Sequence, residues 1–363
     1  EPSASLTRPP WALPRWGALL VKGSTGSPAC RLRWTRRGRN RAAICTARPG
    51  RHRCACRGDD PRIHRLKGLE VRAVVCTAYG PPEVLRLAEL PTPTPRKNEV
   101  RIRIRATAVT SSDCYLRGLQ LSPAYRMMAR AVVGWNAPRR PVLGMVLSGE
   151  VDSVGRGVRS FHVGDPVFGF NRHEFGAYAQ YACWPEDGLL ATRPENVTDE
   201  AAAAITFGGL LASHSLRRAD LQAGQKVLIY GASGAVGTSA VQLARHIGAE
   251  VTGVCGTANM ELVESLGAST VVDYTVEDFT DSQQRYDLIL DAVGKRRSAA
   301  ALERCQRVLA PGGACISVDD GTPKLRRGDL LSLGGLAAKG ELKPVIDRTY
   351  ALDDVVDAHR YVD

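Results

Sequence analysis

Two hydrophobic periods divide this chain. Residues 101–105 read Arg-Ile-Arg-Ile-Arg, a strict alternation that predicts a half-buried strand. Between residues 226 and 247 the pattern changes. An apolar run at 227–230 (Val-Leu-Ile-Tyr) leads into glycines at 231, 234 and 237. Val236, Ala240, Leu243, Ala244 and Ile247 then recur at helical spacing. Together these predict a buried strand, a tight turn and an amphipathic helix. The alternation continues downstream, with strands expected over 250–255, 270–272, 287–291 and 314–318. Helices are expected over 259–266, closed by Gly267, and over 298–309, stopped by Pro311-Gly312-Gly313. Strands alternating with helices predict an α/β, doubly wound parallel sheet of the Rossmann kind.

The turn Gly231-Ala-Ser-Gly-Ala-Val-Gly237 is a G-x-x-G-x-x-G variant of the dinucleotide fingerprint. Glycine lets the backbone approach phosphates closely, and the first amides of the helix point at them from the positive end of its dipole. Gly231, Ser233, Gly234, Ala235, Val236 and Gly237 are therefore candidate pyrophosphate contacts. Ligands of such sheets lie across the carboxyl ends of the strands, which adds Ala292, Val293 and Val318. NAD-selective sheets carry an acidic residue at the end of the second strand to hold the ribose 2′-OH. Here that place reads Cys255-Gly-Thr-Ala-Asn259, without a carboxylate. Thr257 and Asn259 can donate hydrogen bonds to a 2′-phosphate, although no Lys or Arg stands there. The pattern favours NADPH over NADH.

Upstream, short strands at 149–154 and after the turn at 163–166 join the alternating run at 101–105, separated by frequent glycines. That predicts a small, mainly antiparallel, barrel-like unit. No apolar run approaches the roughly 20 residues of a membrane helix, and no solenoid repeat appears.

The formal charge of +12 misleads. Sixteen of the 49 Lys and Arg, but only four of the 37 Asp and Glu, lie in residues 1–70, so the rest of the chain is neutral. A nucleic-acid partner therefore has no support in the body of the chain. Three readings of residues 1–70 stand side by side: upstream sequence read in frame before a start at Val71, an Arg-rich targeting segment, or a disordered basic arm. Cys54 and Cys56 beside His52 lack the spacing of a zinc knuckle. The six cysteines beyond residue 70 (Cys76, Cys114, Cys183, Cys255, Cys305 and Cys315) are scattered and mostly in apolar runs, as in free thiols of a reducing, cytoplasmic compartment.

Several segments, taken together, resemble the zinc-free quinone oxidoreductase (zeta-crystallin-like) branch of the medium-chain dehydrogenase/reductase superfamily. They are Ala78-Tyr-Gly-Pro-Pro-Glu-Val-Leu85, Val109-Thr-Ser-Ser-Asp-Cys-Tyr115, Gly144-Met-Val-Leu-Ser-Gly-Glu-Val151, Val163-Gly-Asp-Pro-Val-Phe-Gly169, the glycine turn and Leu342-Lys-Pro-Val-Ile-Asp-Arg348. The resemblance implies a GroES-like catalytic domain over 71–200, resumed at 336–363, and a Rossmann domain over 201–335. It also implies an active site in the cleft between them and a homodimer. Zinc-bearing relatives place Cys where this chain has Thr110 and His where it has Met145. Neither Thr nor Met suits Zn²⁺, and the four-cysteine structural lobe is missing, so no zinc is expected. Cys114 reads as a packed thiol.

The implied reaction moves a hydride from NADPH to a small quinone or α,β-unsaturated carbonyl. An enoyl-thioester reductase and a non-catalytic nucleotide-binding protein are the alternatives. Tyr115, which the resemblance places beside the nicotinamide, is the leading donor to the oxygen that gains charge. Thr110 and Ser111 follow it, and Asp113 is expected to brace their loop. Tyr274 is similar to the tyrosine that packs near the adenosine ribose in this branch. His162, His173, His214 and His246 show no catalytic context. Three departures stand out. Leu211 replaces a threonine that can hold the carboxamide, in a segment (Phe207-Gly-Gly-Leu-Leu-Ala212) matched to a helix start. Gly334-Gly335 falls within an expected helix. Relatives continue past residue 363 for about another strand, so an exposed sheet edge is expected.

Overall fold

A computed structural model describes residues 18–22, 70–119, 123–281 and 283–363 of the chain. A seven-stranded sheet carries the first half of the molecule. Its strands are β1 (Ala18–Lys22), β4 (Glu99–Val109), β5 (Val146–Val154), β6 (Pro166–Phe170), β7 (Tyr181–Pro185) and β8 (Leu189–Thr192), with β14 (Ile346–Ala351) at its far edge. The hairpin β2 (Glu70–Cys76) and β3 (Leu85–Pro91) stands apart from this sheet. The alternation at 101–105 is a β4 feature: Val100, Ile102 and Ile104 are buried. Arg101 and Arg103 on the other face both bind Asp152 of β5, at 2.6 and 3.1 Å.

Two helices follow β4, α1 (Ser111–Gly118) and α2 (Pro123–Val133). The long α3 (Asp199–Arg218) then leads into the second sheet. That sheet runs β11-β10-β9-β12-β13, and every pairing in it is parallel. Its elements are β9 (Lys226–Tyr230), α4 (Ala235–Ile247), β10 (Glu250–Cys255), α5 (Met260–Ser265), β11 (Thr270–Asp273), β12 (Tyr286–Asp291), α6 (Lys295–Cys305) and β13 (Leu309–Ser317). The expected doubly wound α/β sheet is present. α7 (Arg327–Ala338) packs beside α3, and α8 (Val355–Val362) returns to the first half.

Three local expectations change. Pro311-Gly312-Gly313 does not stop a helix at 309. α6 ends at Cys305, and the glycines lie inside β13, where the pairing register to β12 shifts as at a bulge. Residues 207–212 form no helix start but the middle of α3. A Cβ at Gly208 would sit 1.9 Å from the Ala235 carbonyl oxygen, so the glycine lets α3 and α4 touch through their backbones. Finally, Ala18–Lys22 does not stand outside the fold. It pairs antiparallel with β4 and parallel with β14, which stands as the exposed edge of the sheet. The other readings of residues 1–70 lie outside the described residues.

One core joins the two sheets through α3. Val146, Phe168 and Phe170 come from the first sheet, with Met145 just ahead of β5, Leu210 and Leu216 from α3, Val227 and Ile229 from the second sheet, and Ala240 from α4. A separate cluster ties α8 to β2 and α1 through Val74, Cys76, Cys114, Val355 and Ala358.

Candidate functional site

The glycine turn is built for backbone proximity. Gly231 has φ +80, and a Cβ there would strike Val293 at 2.4 Å. A Cβ at Gly237 would lie 2.1 Å from the Gly231 carbonyl oxygen and 2.7 Å from the Ala232 Cα, so the first turn of α4 rests on the loop's own backbone. Gly234 is the N-cap and contributes no side-chain cap, leaving the first amides of α4 open to an anion. Ser233, Gly234 and Ala235 are accessible, whereas Val236 and Gly237 are buried. A dinucleotide pyrophosphate fits this cradle.

The neighbouring strand ends are fastened by a residue that sequence reading left unassigned. Asp291, the last residue of β12, is fully buried. Its Oδ1 accepts the amides of Val293 (3.0 Å) and Gly294 (3.2 Å), and its Oδ2 accepts the hydroxyls of Ser298 and Ser317, both at 2.7 Å. Val318 N–H donates to the Asp291 carbonyl at 3.0 Å. Asp291 thus sets the path of Ala292, Val293 and Val318 together. The signal was a carboxylate closing an apolar strand, beside a serine that opens the expected helix.

Thr257 and Asn259 stand on the short bend just past the end of β10. Tyr274 lies against the same bend: a Cβ at Gly256 would be 3.6 Å from its ring. The expectation that no carboxylate reaches this place is overturned. Asp273, at the end of β11, accepts the hydroxyls of Thr257 and Thr275. Strand pairing brings it there, since Cys255 sits opposite Asp273 in the β10–β11 register.

The other group of candidates stands on α1, after the first sheet. Thr110 is the N-cap and is buried. Its hydroxyl donates to Asp113 Oδ2 at 2.6 Å, the Asp113 amide donates back to it at 3.2 Å, and the Thr110 amide donates to Asp113 Oδ2 at 2.9 Å. The two amide bonds form a reciprocal capping box, and the hydroxyl's own bond to Asp113 commits the Thr110 proton, so Thr110 is corrected from a substrate donor to a positioning residue. Ser111 and Tyr115 are half-buried on the same helix. Asp113 is completely buried, and burial pushes its carboxyl up to about 6 against the pull of the Thr110 hydrogen bonds.

Beneath α1 lies a polar cluster that sequence reading missed. His359 of α8 is buried, with Nδ1 3.3 Å from both Cys114 Sγ and an Arg117 guanidinium nitrogen. Arg117 also binds Asp363 at 2.6 Å. Burial, with help from Arg117, lowers the imidazole to about 3, so His359 is neutral and packs edge-on to Tyr178. Burial likewise raises the Cys114 thiol, in line with a packed residue. The two zinc-ligand positions hold Thr110, whose oxygen is spent on Asp113, and the thioether of Met145. Among the described residues no three His, Cys, Asp or Glu come together as a metal site.

Two sheets joined by one helix, with a glycine turn and an open helix start at the strand ends of the parallel one, define an α/β architecture with a candidate dinucleotide cradle. Comparison with known families agrees. The alcohol dehydrogenase GroES-like domain matches residues 96–194, and zinc-binding dehydrogenase families match 235–339 and 320–363. The matched domains are those of the medium-chain dehydrogenase/reductase superfamily. It is 32% identical over 248 residues to 2-methylene-furan-3-one reductase of Solanum lycopersicum, covering 63% of this chain and 62% of that protein. It is 28% identical over 314 residues to the chloroplastic NADPH-dependent alkenal/one oxidoreductase of Arabidopsis thaliana, covering 81% of this chain and 77% of that one. Among solved structures, quinone oxidoreductase from Coxiella burnetii matches with a TM-score of 0.71 and 27% identity, covering 80% of this chain and 95% of that one.

Proposed function

We propose that this chain is a reductase that delivers hydride to a small quinone or α,β-unsaturated carbonyl, using NADPH in preference to NADH and no zinc. The observation that carries the reading is the open amino end of α4, held against the glycine turn by backbone contacts that no residue with a Cβ would permit. The amides of Ser233, Ala235 and Val236 bind the pyrophosphate, while that of Gly234 closes the turn on the Gly231 carbonyl at 3.0 Å; Val293 and Val318 line the path toward the reacting end, and Tyr274 flanks the adenosine side. A bound reduced nicotinamide supplies the hydride.

Negative charge then develops on the acceptor oxygen. The hydroxyls of Tyr115 and Ser111 donate to it, and the proton comes from solvent. Thr110 and Asp113 fix the start of α1 and so the aim of both donors. Zinc has no part in this reading because the residues at Thr110 and Met145 supply neither thiolate, imidazole nor carboxylate. The relatives' names support the substrate classes: an alkenal/one oxidoreductase, a furanone reductase and quinone oxidoreductases. A catalytic domain over 71–200 and 336–363 and a Rossmann domain over 201–335 complete the proposal. Six free cysteines among the described residues support a reducing, cytoplasmic setting.

The test is an acceptor panel, an ortho-quinone and an enone, run with each nucleotide beside a nucleotide fluorescence titration. The expected result is turnover on at least one acceptor with higher kcat/KM for NADPH. Tyr115→Phe should lower kcat about 100-fold if one oxyanion donor is lost. Binding without turnover on either acceptor rejects the catalytic reading in favour of a nucleotide-binding role.

A further inference from the structure

Asp273 gives the adenosine end of the site a hydrogen-bond polarity that the residues after β10 do not reveal. Its side chain is buried between two threonines. Thr275 donates its amide at 2.9 Å and its hydroxyl at 2.7 Å to Oδ1, and Thr257 donates its hydroxyl to Oδ2. Burial raises this carboxyl, but those hydrogen bonds together hold it below the usual carboxylate range. It is therefore an anion at neutral pH, and an anion accepts only. Both hydroxyl protons must point at it.

Thr257 itself is exposed at the mouth of the bend, with its oxygen 3.2 Å from that of Thr275. Because its proton is spent inward, Thr257 meets a ligand with lone pairs alone. A ribose 2′-hydroxyl has a proton to give to such an oxygen. A 2′-phosphate offers acceptors and negative charge, and meets an acceptor with a carboxylate one hydrogen bond behind it. Glu277, whose Oε1 accepts the Asp273 amide at 3.3 Å, adds a second negative group on the same turn.

We infer that Asp273 is a specificity-determining residue for the nucleotide: by holding Thr257 as an acceptor it favours the 2′-hydroxyl and restrains the preference for a 2′-phosphate. This rests on the reading that a nicotinamide dinucleotide binds at these strand ends. The donors left for a phosphate are Asn259 and backbone amides. In Asp273→Asn the side-chain oxygen keeps the two Thr275 donors, the new amide donates to Thr257, and the Thr257 proton is released toward the ligand.

The experiment is isothermal titration of the full chain with ADP-ribose and with 2′-phospho-ADP-ribose, probes that lack nicotinamide and report binding without turnover. Asp273→Asn should raise affinity for the phosphorylated probe relative to ADP-ribose about tenfold. Thr257→Val should weaken ADP-ribose severalfold and leave the phosphorylated probe within about twofold. Thr257→Val decides the matter by itself if Asp273→Asn fails to fold, as judged by its thermal melt. Unmoved affinity ratios in folded variants, or a Thr257→Val that mainly loses the phosphorylated probe, overturn this inference alone. A wild-type chain that binds neither probe overturns the nucleotide reading and this inference with it.

Discussion

Removing the Asp291 carboxylate should loosen two strand ends at once. In Asp291→Ala, four donors lose their acceptor: two amides at 3.0 and 3.2 Å and two hydroxyls at 2.7 Å. Ser298 has another acceptor in the Gly294 carbonyl at 3.0 Å, so three donors are left stranded in a buried site. A stranded buried donor costs about 1–3 kcal/mol, and loss of a desolvated charge returns part of the total. The net expectation is a loss of about 2–4 kcal/mol. At about 2–4 °C per kcal/mol, the first thermal transition should fall by roughly 5–15 °C, measured by calorimetry. Nucleotide affinity should fall as well, because the bend at Val293 and Gly294 loses its anchor. Asp291→Asn keeps an acceptor for both amides and lets the serines rotate to accept, so its loss should be near 1 kcal/mol. A melting temperature in Asp291→Ala within 2 °C of wild type, or equal damage from Asn and Ala, would refute this account.

Other expectations follow from the same geometry. Gly237→Ala places a methyl group where only backbone can yield, so nucleotide binding by fluorescence titration should drop more than tenfold; retained affinity counts against the cradle. Gly335 sits inside α7 with open space around it, so Gly335→Ala should stabilise by about 0.5–1 kcal/mol in urea melts, whereas Gly334→Ala, which meets the Phe168 ring at 3.3 Å, should gain less or lose. The Asp113 carboxyl is raised to about 6 from 3.8. The folded state therefore binds that proton more tightly than the unfolded chain, and this contribution is fully present below 3.8 and disappears as pH rises through about 6. Relative to Asp113→Asn, wild type should lose about 2 kcal/mol between pH 4 and pH 6.5 in denaturant titrations; parallel profiles would show that Asp113 does not carry the proton.

What was legible in the sequence was local. The glycine turn declares itself because strand, bend and helix start are contiguous, and the β4 alternation fixes a buried face two residues at a time. The bracing of α1 by Asp113 was also on view in Thr110-Ser-Ser-Asp113, but a capping box leaves the threonine proton free, and the further bond that spends it on Asp113 was not legible. Distant pairings were not legible. Asp273 reaches Thr257 only because β11 lies beside β10, and His359 meets Cys114 only because α8 returns under α1. The seating of Ala18–Lys22 beside β4 was hidden for a related reason: five apolar-leaning residues in an Arg-rich stretch carry no mark of the partner that will pair with them.

The contact between Gly208 and the Ala235 carbonyl bears on how the enzyme would breathe. Two backbones in direct touch have no side chains to shear or repack, and toward the first sheet α3 is held by the tilted rings of Phe170 and Phe207, 5.9 Å apart, and by Asp199, which accepts the Ser148 hydroxyl at 2.7 Å and pairs with Arg193 at 3.2 Å. Gripped on both sides, α3 acts as a strut that carries a push on one sheet to the other instead of a joint at which they part.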